Sequence, residues 1–151
     1  MMSQKIVYVY GEGSLENEIR NQIDKLKIVN VNLHPFVSDI SNRYASSSIF
    51  VLASRYEGFS LVLLEALRHG LPIVCFNCPF GPEDILDNSC GYLVDNGNIA
   101  QFGNKICNLI EHPEIRKSFS AHAIERSQNF TLEIIMEQWI SLFETISKTS
   151  N

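Results

Sequence analysis

Short runs rich in β-branched and aromatic residues alternate with stretches of helical spacing along this chain. The first run is KIVYVY (5–10), followed by Gly11-Glu12-Gly13. Helical spacing then starts at Ser14, a candidate N-cap, with Leu15, Ile19, Ile23 and Leu26 on one face. A second run, IVNVNLH (28–34), ends at Pro35, and Ser38 and Asp39 open a short helix to about Ser46. After the third run, SIFVLA (48–53), the loop SRYEG (54–58) leads into a helix from about Ser60 to His69. Gly70 is placed to end that helix. The fourth run, PIVCF (72–76), is followed by the loop NCPFGP (77–82) and a helical turn, EDILD (83–87). The fifth, GYLV (91–94), gives way to the turn chemistry of Asp95-Asn96-Gly97-Asn98. The remainder reads as helix: Ile99 to Glu111, Pro113 to about Ser127, and a last one capped by Thr131 and reaching about Ser147. The tail 148–151 reads as frayed.

Five β runs separated by helices predict an α/β fold, a Rossmann-like parallel sheet with helices on both faces, because parallel strands need crossover connections. The crossovers should be right-handed. One domain is expected over 1–147. Ligands on such sheets bind outside the carboxyl ends of the strands. The loops that matter are therefore 11–14, 34–39, 54–60 and 77–84.

Composition narrows the function classes. The chain has 151 residues, 45% apolar and 19% charged, which suits a folded domain and argues against disorder. The net charge is −5 and no basic run occurs, so a nucleic-acid partner is not expected. The wholly apolar stretches, such as Ile49 to Ala53 and Leu61 to Leu64, fall far below the roughly 18 residues of a membrane span. The N-terminus lacks the features of a signal peptide. Cys75 and Cys107 sit inside apolar patterns and read as small core residues. Cys75 and Cys78 form a C-x-x-C with no second ligand pair at zinc-site spacing, so buried or loop thiols are expected, with Cys90 among them. Reduced thiols and no export signal together point to the cytoplasm, with a peripheral contact at the inner face of the membrane left open.

Three segments could carry chemistry. Gly11-Glu12-Gly13 opens like a dinucleotide fingerprint, but position 16 is Glu where the third glycine belongs, and Glu12 and Glu16 would repel a pyrophosphate. A tight turn, or one wall of a cleft, fits it better. The most informative segment is SRYEGFSLVLLEALRHGLP (54–72). Glu57 and Glu65 have seven residues between them. Placed in one helix they would be separated by roughly 12 Å of rise, so they cannot be an adjacent carboxylate pair but can grip two parts of one long ligand. Gly58 lets the backbone approach closely. The N–H groups around Phe59 to Val62, with the positive end of the helix dipole, offer a phosphate site. A carboxylate at Glu65 can accept two hydrogen bonds from vicinal hydroxyls such as those of a ribose. The competing reading makes Glu57 a solvated loop residue and Glu65 a solvated helix position, with Leu61, Leu64 and Leu67 as core. Among the histidines, His34 could line the cleft, His69 suits a C-terminal dipole partner, and His112 and His122 read as surface. Trp139, with Ile135, Leu142 and Phe143, reads as a packing stripe.

The string SRYEGFSLVLLEALRHGLPIV resembles the signature of family 4 retaining glycosyltransferases (glycosyl transferases group 1), whose donor site carries an E-x7-E motif. The likeness spans most of the chain: strand plus G-x-G, the H-P-F loop, the E-x7-E stretch, then G-P-E-D-I-L and C-G-Y-L-V. It resembles the C-terminal, donor-binding half of a GT-B fold with its first strand and helix missing. The resemblance implies that Glu57 contacts the donor sugar near the reacting carbon, as the catalytic residue, and that Glu65 binds the ribose hydroxyls. It implies that backbone amides of Gly58, Phe59, Ser60, Leu61 and Val62 meet the sugar and diphosphate. Pro35 and Phe36 would border the nucleobase, Gly11 and Gly13 would face the cleft, and Gly81 would lie close to the donor. The expected donor is an NDP-sugar, leaning to a UDP-sugar, with no metal or other cofactor. The expected partner is an acceptor-binding N-terminal domain absent from this chain, and the last helix would cross towards it.

The chain also departs from the family. The cations that neutralise the diphosphate belong to the missing first strand and helix. Arg55 is a nearby candidate, but pairing locally or facing solvent suits it as well. One charge pair at 4 Å near a protein surface is worth about 4 kcal/mol, so a diphosphate should bind this chain poorly. Two alternatives stay open: a non-catalytic α/β interaction module, and half of a sugar-nucleotide epimerase on the same fold.

Overall fold

The computed structural model describes residues 5–149. They fall into two compact units divided after Ile40, where the sequence leads to one domain. The first unit holds strand β1 (Val7–Tyr10), helix α1 (Glu16–Lys25) and strand β2 (Val31–His34). β1 and β2 pair in parallel, with Val7 opposite Val31 and Tyr10 opposite His34. α1 buries none of its residues, and Val7, Tyr8 and Val9 are all exposed. A parallel strand is ordinarily covered on both faces. Ser14 does not cap α1, whose N-cap position is Leu15 with no side-chain bond; Gly13 instead accepts the Glu16 N–H through its carbonyl. An arginine–carboxylate pair between Arg20 and Glu16 spans one turn of the helix.

The second unit runs α2 (Ser41–Ala45), β3 (Phe50–Leu52), α3 (Leu61–Arg68), β4 (Ile73–Asn77), α4 (Pro82–Ile85) and β5 (Gly91–Asp95). Then come α5 (Ile99–Glu111), α6 (Pro113–Ser127), a short 3-10 turn (Gln128–Phe130) and α7 (Leu132–Thr149). Its sheet is parallel in the order β3-β4-β5. The two ladders stand in place of the single five-stranded sheet.

β4 lies between two partner strands, and Ile73, Val74, Cys75 and Phe76 are all buried, the continuous apolar run of a central parallel strand. Val74 and Phe76 join Val94 of β5 and Leu109 of α5 in one core cluster, with Phe102 and Ile106 packed against it. Ile73 and Cys75 alternate to the opposite face. On α3 the buried positions are Leu63, Ala66 and Leu67. Leu61 is exposed, so the core stripe is shifted from the expected Leu61, Leu64 and Leu67. Gly70, at φ 65°, ends α3 as its spacing suggests.

Several boundaries move. β2 starts at Val31 and not at Ile28, and α2 starts at Ser41 and not at Ser38. α5 and α6 keep the expected limits. Asn98 caps α5 by accepting the Gln101 N–H at 3.0 Å. α7 continues through Lys148 and Thr149, the first two residues of the expected tail; residues 150–151 lie outside the described residues. Its aromatic residues do not form a packed stripe. Trp139 and Phe143 touch at 5.6 Å between ring centroids, yet Trp139 stays 50% exposed and α7 buries no residue. Among the described residues, no helix is long and apolar enough to cross a membrane.

Candidate functional site

The geometry centres on the mouth of α3. Ser60 occupies the N-cap position, 2% exposed, in extended backbone. Its Oγ makes no capping bond and has no hydrogen-bond partner among the described residues, although a buried hydroxyl ordinarily has one. The Ser60 carbonyl accepts the Leu63 N–H at 3.1 Å. The N–H groups of Phe59, Ser60, Leu61 and Val62 have no backbone acceptor among the described residues. They are the orphan donors of a helix start, and with the dipole they favour an anion. Leu61 and Val62 are exposed on the same turn.

The Gly81 turn is built against this mouth. Gly81 is buried with φ at 101°, and a Cβ placed on it would stand 2.8 Å from the Gly58 carbonyl oxygen and 3.5 Å from the Ser60 nitrogen. Only a glycine lets the two loops approach so closely. Arg126 of α6 ties the far end of that turn. Its Nε donates to the Ile85 carbonyl at 2.9 Å and its Nη2 to the Asp84 carbonyl at 2.7 Å, while the Asp87 carboxylate lies 3.8 Å away. Asp87 is held below the usual carboxylate range, first by the Ser89 hydroxyl that donates to it and less by Arg126.

The two glutamates have separate surroundings. Glu57 is half-buried in the loop before Gly58 and neighbours the Cys78 thiol. Burial pushes that thiol up; backbone hydrogen bonds of Cys78 and Glu57 oppose the rise, and the Glu57 carboxylate adds to it. Asn96 braces the same loop by donating to the Arg55 carbonyl at 3.2 Å. Arg55 itself is exposed.

Glu65 sits on the second turn of α3, half-buried, and its Oε2 accepts the Tyr44 hydroxyl at 2.9 Å. His69 secures the neighbourhood. Its Nδ1 lies 2.8 Å from the Glu65 carbonyl oxygen and its Nε2 lies 2.8 Å from Ser41 Oγ. A carbonyl only accepts, so Nδ1 carries a proton, and in the neutral ring Ser41 donates to Nε2. His69 is thus a partner of the helix C-terminus, as its position suggests. Neither Glu57 nor Glu65 makes an ion pair among the described residues. No cluster of three metal-ligating side chains occurs among them either.

The first unit holds the other sequence candidates. Gly11 donates its N–H to the His34 carbonyl at 3.1 Å, and no heavy atom lies within 4 Å of a Cβ built on Gly13. His34 stacks on Tyr10 at 5.0 Å and tilts against Tyr8 at 5.7 Å. Pro35 is exposed, and Phe36 is 71% exposed.

The structure thus brings Gly58, Ser60 and Gly81 together and sets Glu65 one to two turns along the same helix. Sequence reasoning missed Tyr44 and Arg126. Tyr44 and Arg126 each reach their partners across long stretches of chain, and no local spacing signals them. Cys75, Cys78 and Cys90 are buried thiols, and desolvation pushes Cys75 up to about 12. Cys107 is exposed, not core, because its position on α5 turns away from the Leu109 stripe.

Comparison with known proteins places the chain in a family. The family model described as glycosyl transferases group 1 matches residues 3–126. A Haemophilus influenzae protein described as an uncharacterized glycosyltransferase is 35% identical over 133 residues, covering 87% of this chain and 38% of its own length. The poly(ribitol-phosphate) alpha-N-acetylglucosaminyltransferase of Staphylococcus aureus is 33% identical over 141 residues, covering 91% of this chain and 29% of its own. The crystal structure of a S. aureus TarM mutant in complex with fondaparinux, alpha-GlcNAc-glycerol and UDP superposes with a TM-score of 0.84 at 32% identity, over 91% of this chain and 29% of that one. The chain therefore spans well under half the length of these relatives. With the family match over most of its residues, it belongs to the glycosyl transferases group 1 family.

Proposed function

We propose that this chain is the C-terminal, donor-binding part of a family 4 retaining glycosyltransferase of GT-B fold, and that it takes a UDP-sugar. The whole protein would move a hexose to a glycan or lipid-linked acceptor held by an N-terminal domain. The observation that carries the reading is the mouth of α3: orphan amides at residues 59–62 beside a buried Ser60 hydroxyl with no partner. A diphosphate satisfies these donors at a helix N-terminus. Glu65 follows along the helix with Oε1 unused by Tyr44, suited to the vicinal hydroxyls of a ribose. Glu57, in the loop before Gly58, then stands for the sugar end. The UDP in the TarM mutant complex supports the choice of base.

In this reading catalysis rests on stabilising the departing diphosphate by preorganised donors, with no metal invoked. In this reading the whole protein works in the cytoplasm or at the inner face of the membrane. Calorimetric titration tests the reading: UDP should bind weakly, and Glu65→Ala should weaken it by about tenfold or more, out of calorimetric range. Wild type and mutant binding UDP alike would contradict it. This chain alone should transfer no sugar, and turnover by the purified 151 residues would overturn that part.

A further inference from the structure

We propose that Tyr44 is a positioning residue that sets the Glu65 carboxylate for a ribose, so that α2 determines the preference for a ribonucleotide. This rests on the reading of Glu65 as the ribose clamp. Tyr44 is 7% exposed, and its hydroxyl reaches Glu65 Oε2 at 2.9 Å. A carboxylate has about four lone-pair positions, and this bond takes one of them, on Oε2. It fixes the rotation of the carboxylate and leaves both positions on Oε1 for a diol.

The tyrosine is itself held from three sides. Its ring meets His69 at 5.2 Å and the edge of Phe50 at 5.7 Å between centroids. His69 spans from Ser41, the first residue of α2, to the Glu65 carbonyl. One histidine therefore links the start of the helix that carries Tyr44 to the backbone of the residue that Tyr44 orients. A five-residue helix has little stability of its own, and this cross-link fixes it to α3. A tyrosine serving packing alone needs no hydroxyl here. The hydroxyl is spent on the one carboxylate of α3.

The test compares UDP with 2′,3′-dideoxy-UDP by NMR titration of the whole chain. Wild type should prefer UDP by about tenfold, the order expected for hydrogen bonds to a charged group. Tyr44→Phe keeps both ring contacts. It should weaken UDP by roughly tenfold, leave the dideoxy analogue within about twofold, and bring the ratio near one. Loss of packing alone would weaken both ligands equally. Should Tyr44→Phe fail to fold, Ser41→Ala carries the test: it removes the His69 tether, keeps Tyr44, and should lower the ratio in the same direction by less. An unchanged ratio in a folded variant, with wild type preferring UDP, would overturn the role of Tyr44 and leave the clamp standing. Wild type without a preference for UDP would overturn both.

Discussion

Gly81 and Gly58 meet so closely that a Cβ on the former would stand 2.8 Å from the carbonyl oxygen of the latter. Gly81 also has φ at 101°, where L side chains are strained. Gly81→Ala therefore faces a steric and a conformational cost together. We predict a loss of about 2 kcal/mol or more in urea unfolding, with loss of UDP binding as the 58–60 loop is pushed aside. A stable mutant that binds UDP normally would show that the two loops need not touch.

Arg126 holds the other end of the same turn through the Asp84 and Ile85 carbonyls. Its side chain is 26% exposed, so these charge-assisted bonds are partly shielded from water. Arg126→Ala should cost about 2 kcal/mol, and Arg126→Lys should recover only part, since one ammonium cannot reproduce the two-pronged contact. Equal stability of the alanine and wild-type proteins would contradict this account of the turn.

Thiol labelling separates the cysteines. Cys107 is exposed, whereas Cys75 is fully buried with its thiol pushed up to about 12. One thiol should react quickly at pH 8, and the other three only at the rate of opening. Fast labelling of Cys75 in the native protein would contradict the packing of β4.

These contrasts mark what could be read from the residues alone. The α3 segment was legible because its signals are local: Gly70 ends the helix, and the E-x7-E spacing is a property of one stretch. Pro113 and Asn98 fix the starts of α6 and α5 in the same way. Which face of a helix is buried depends on remote partners, so Cys107 reads as core, and Leu61 does in the competing reading of α3, while Leu63 and Leu109 occupy the core. The same holds for Tyr44, which lies 21 residues from Glu65 along the chain. The stripe of α7 is helical in spacing, but periodicity does not say whether a partner covers it.

Alkaline stability tests the Tyr44–Glu65 contact without any ligand. Burial, the hydrogen bond to Glu65 and the charge of that carboxylate raise the Tyr44 phenol above its ordinary 10.0. The folded protein thus holds this proton more tightly than the unfolded chain. The stability linked to it is whole below pH 10 and is lost as pH rises from 10 towards the raised folded value. Tyr44→Phe has no such proton. The stability difference between wild type and Tyr44→Phe should stay constant to about pH 9 and then shift against wild type, by at most about 1.4 kcal/mol per pH unit. A difference that stays flat to about pH 11 would place the phenol in water.

The central claim is that the start of α3 receives the diphosphate of a nucleotide-sugar. An amide-resolved NMR titration with UDP measures this directly. The account predicts the largest shifts at Phe59, Ser60, Leu61 and Val62, with a further change at Glu65. Saturation by UDP with those five amides unmoved would contradict it.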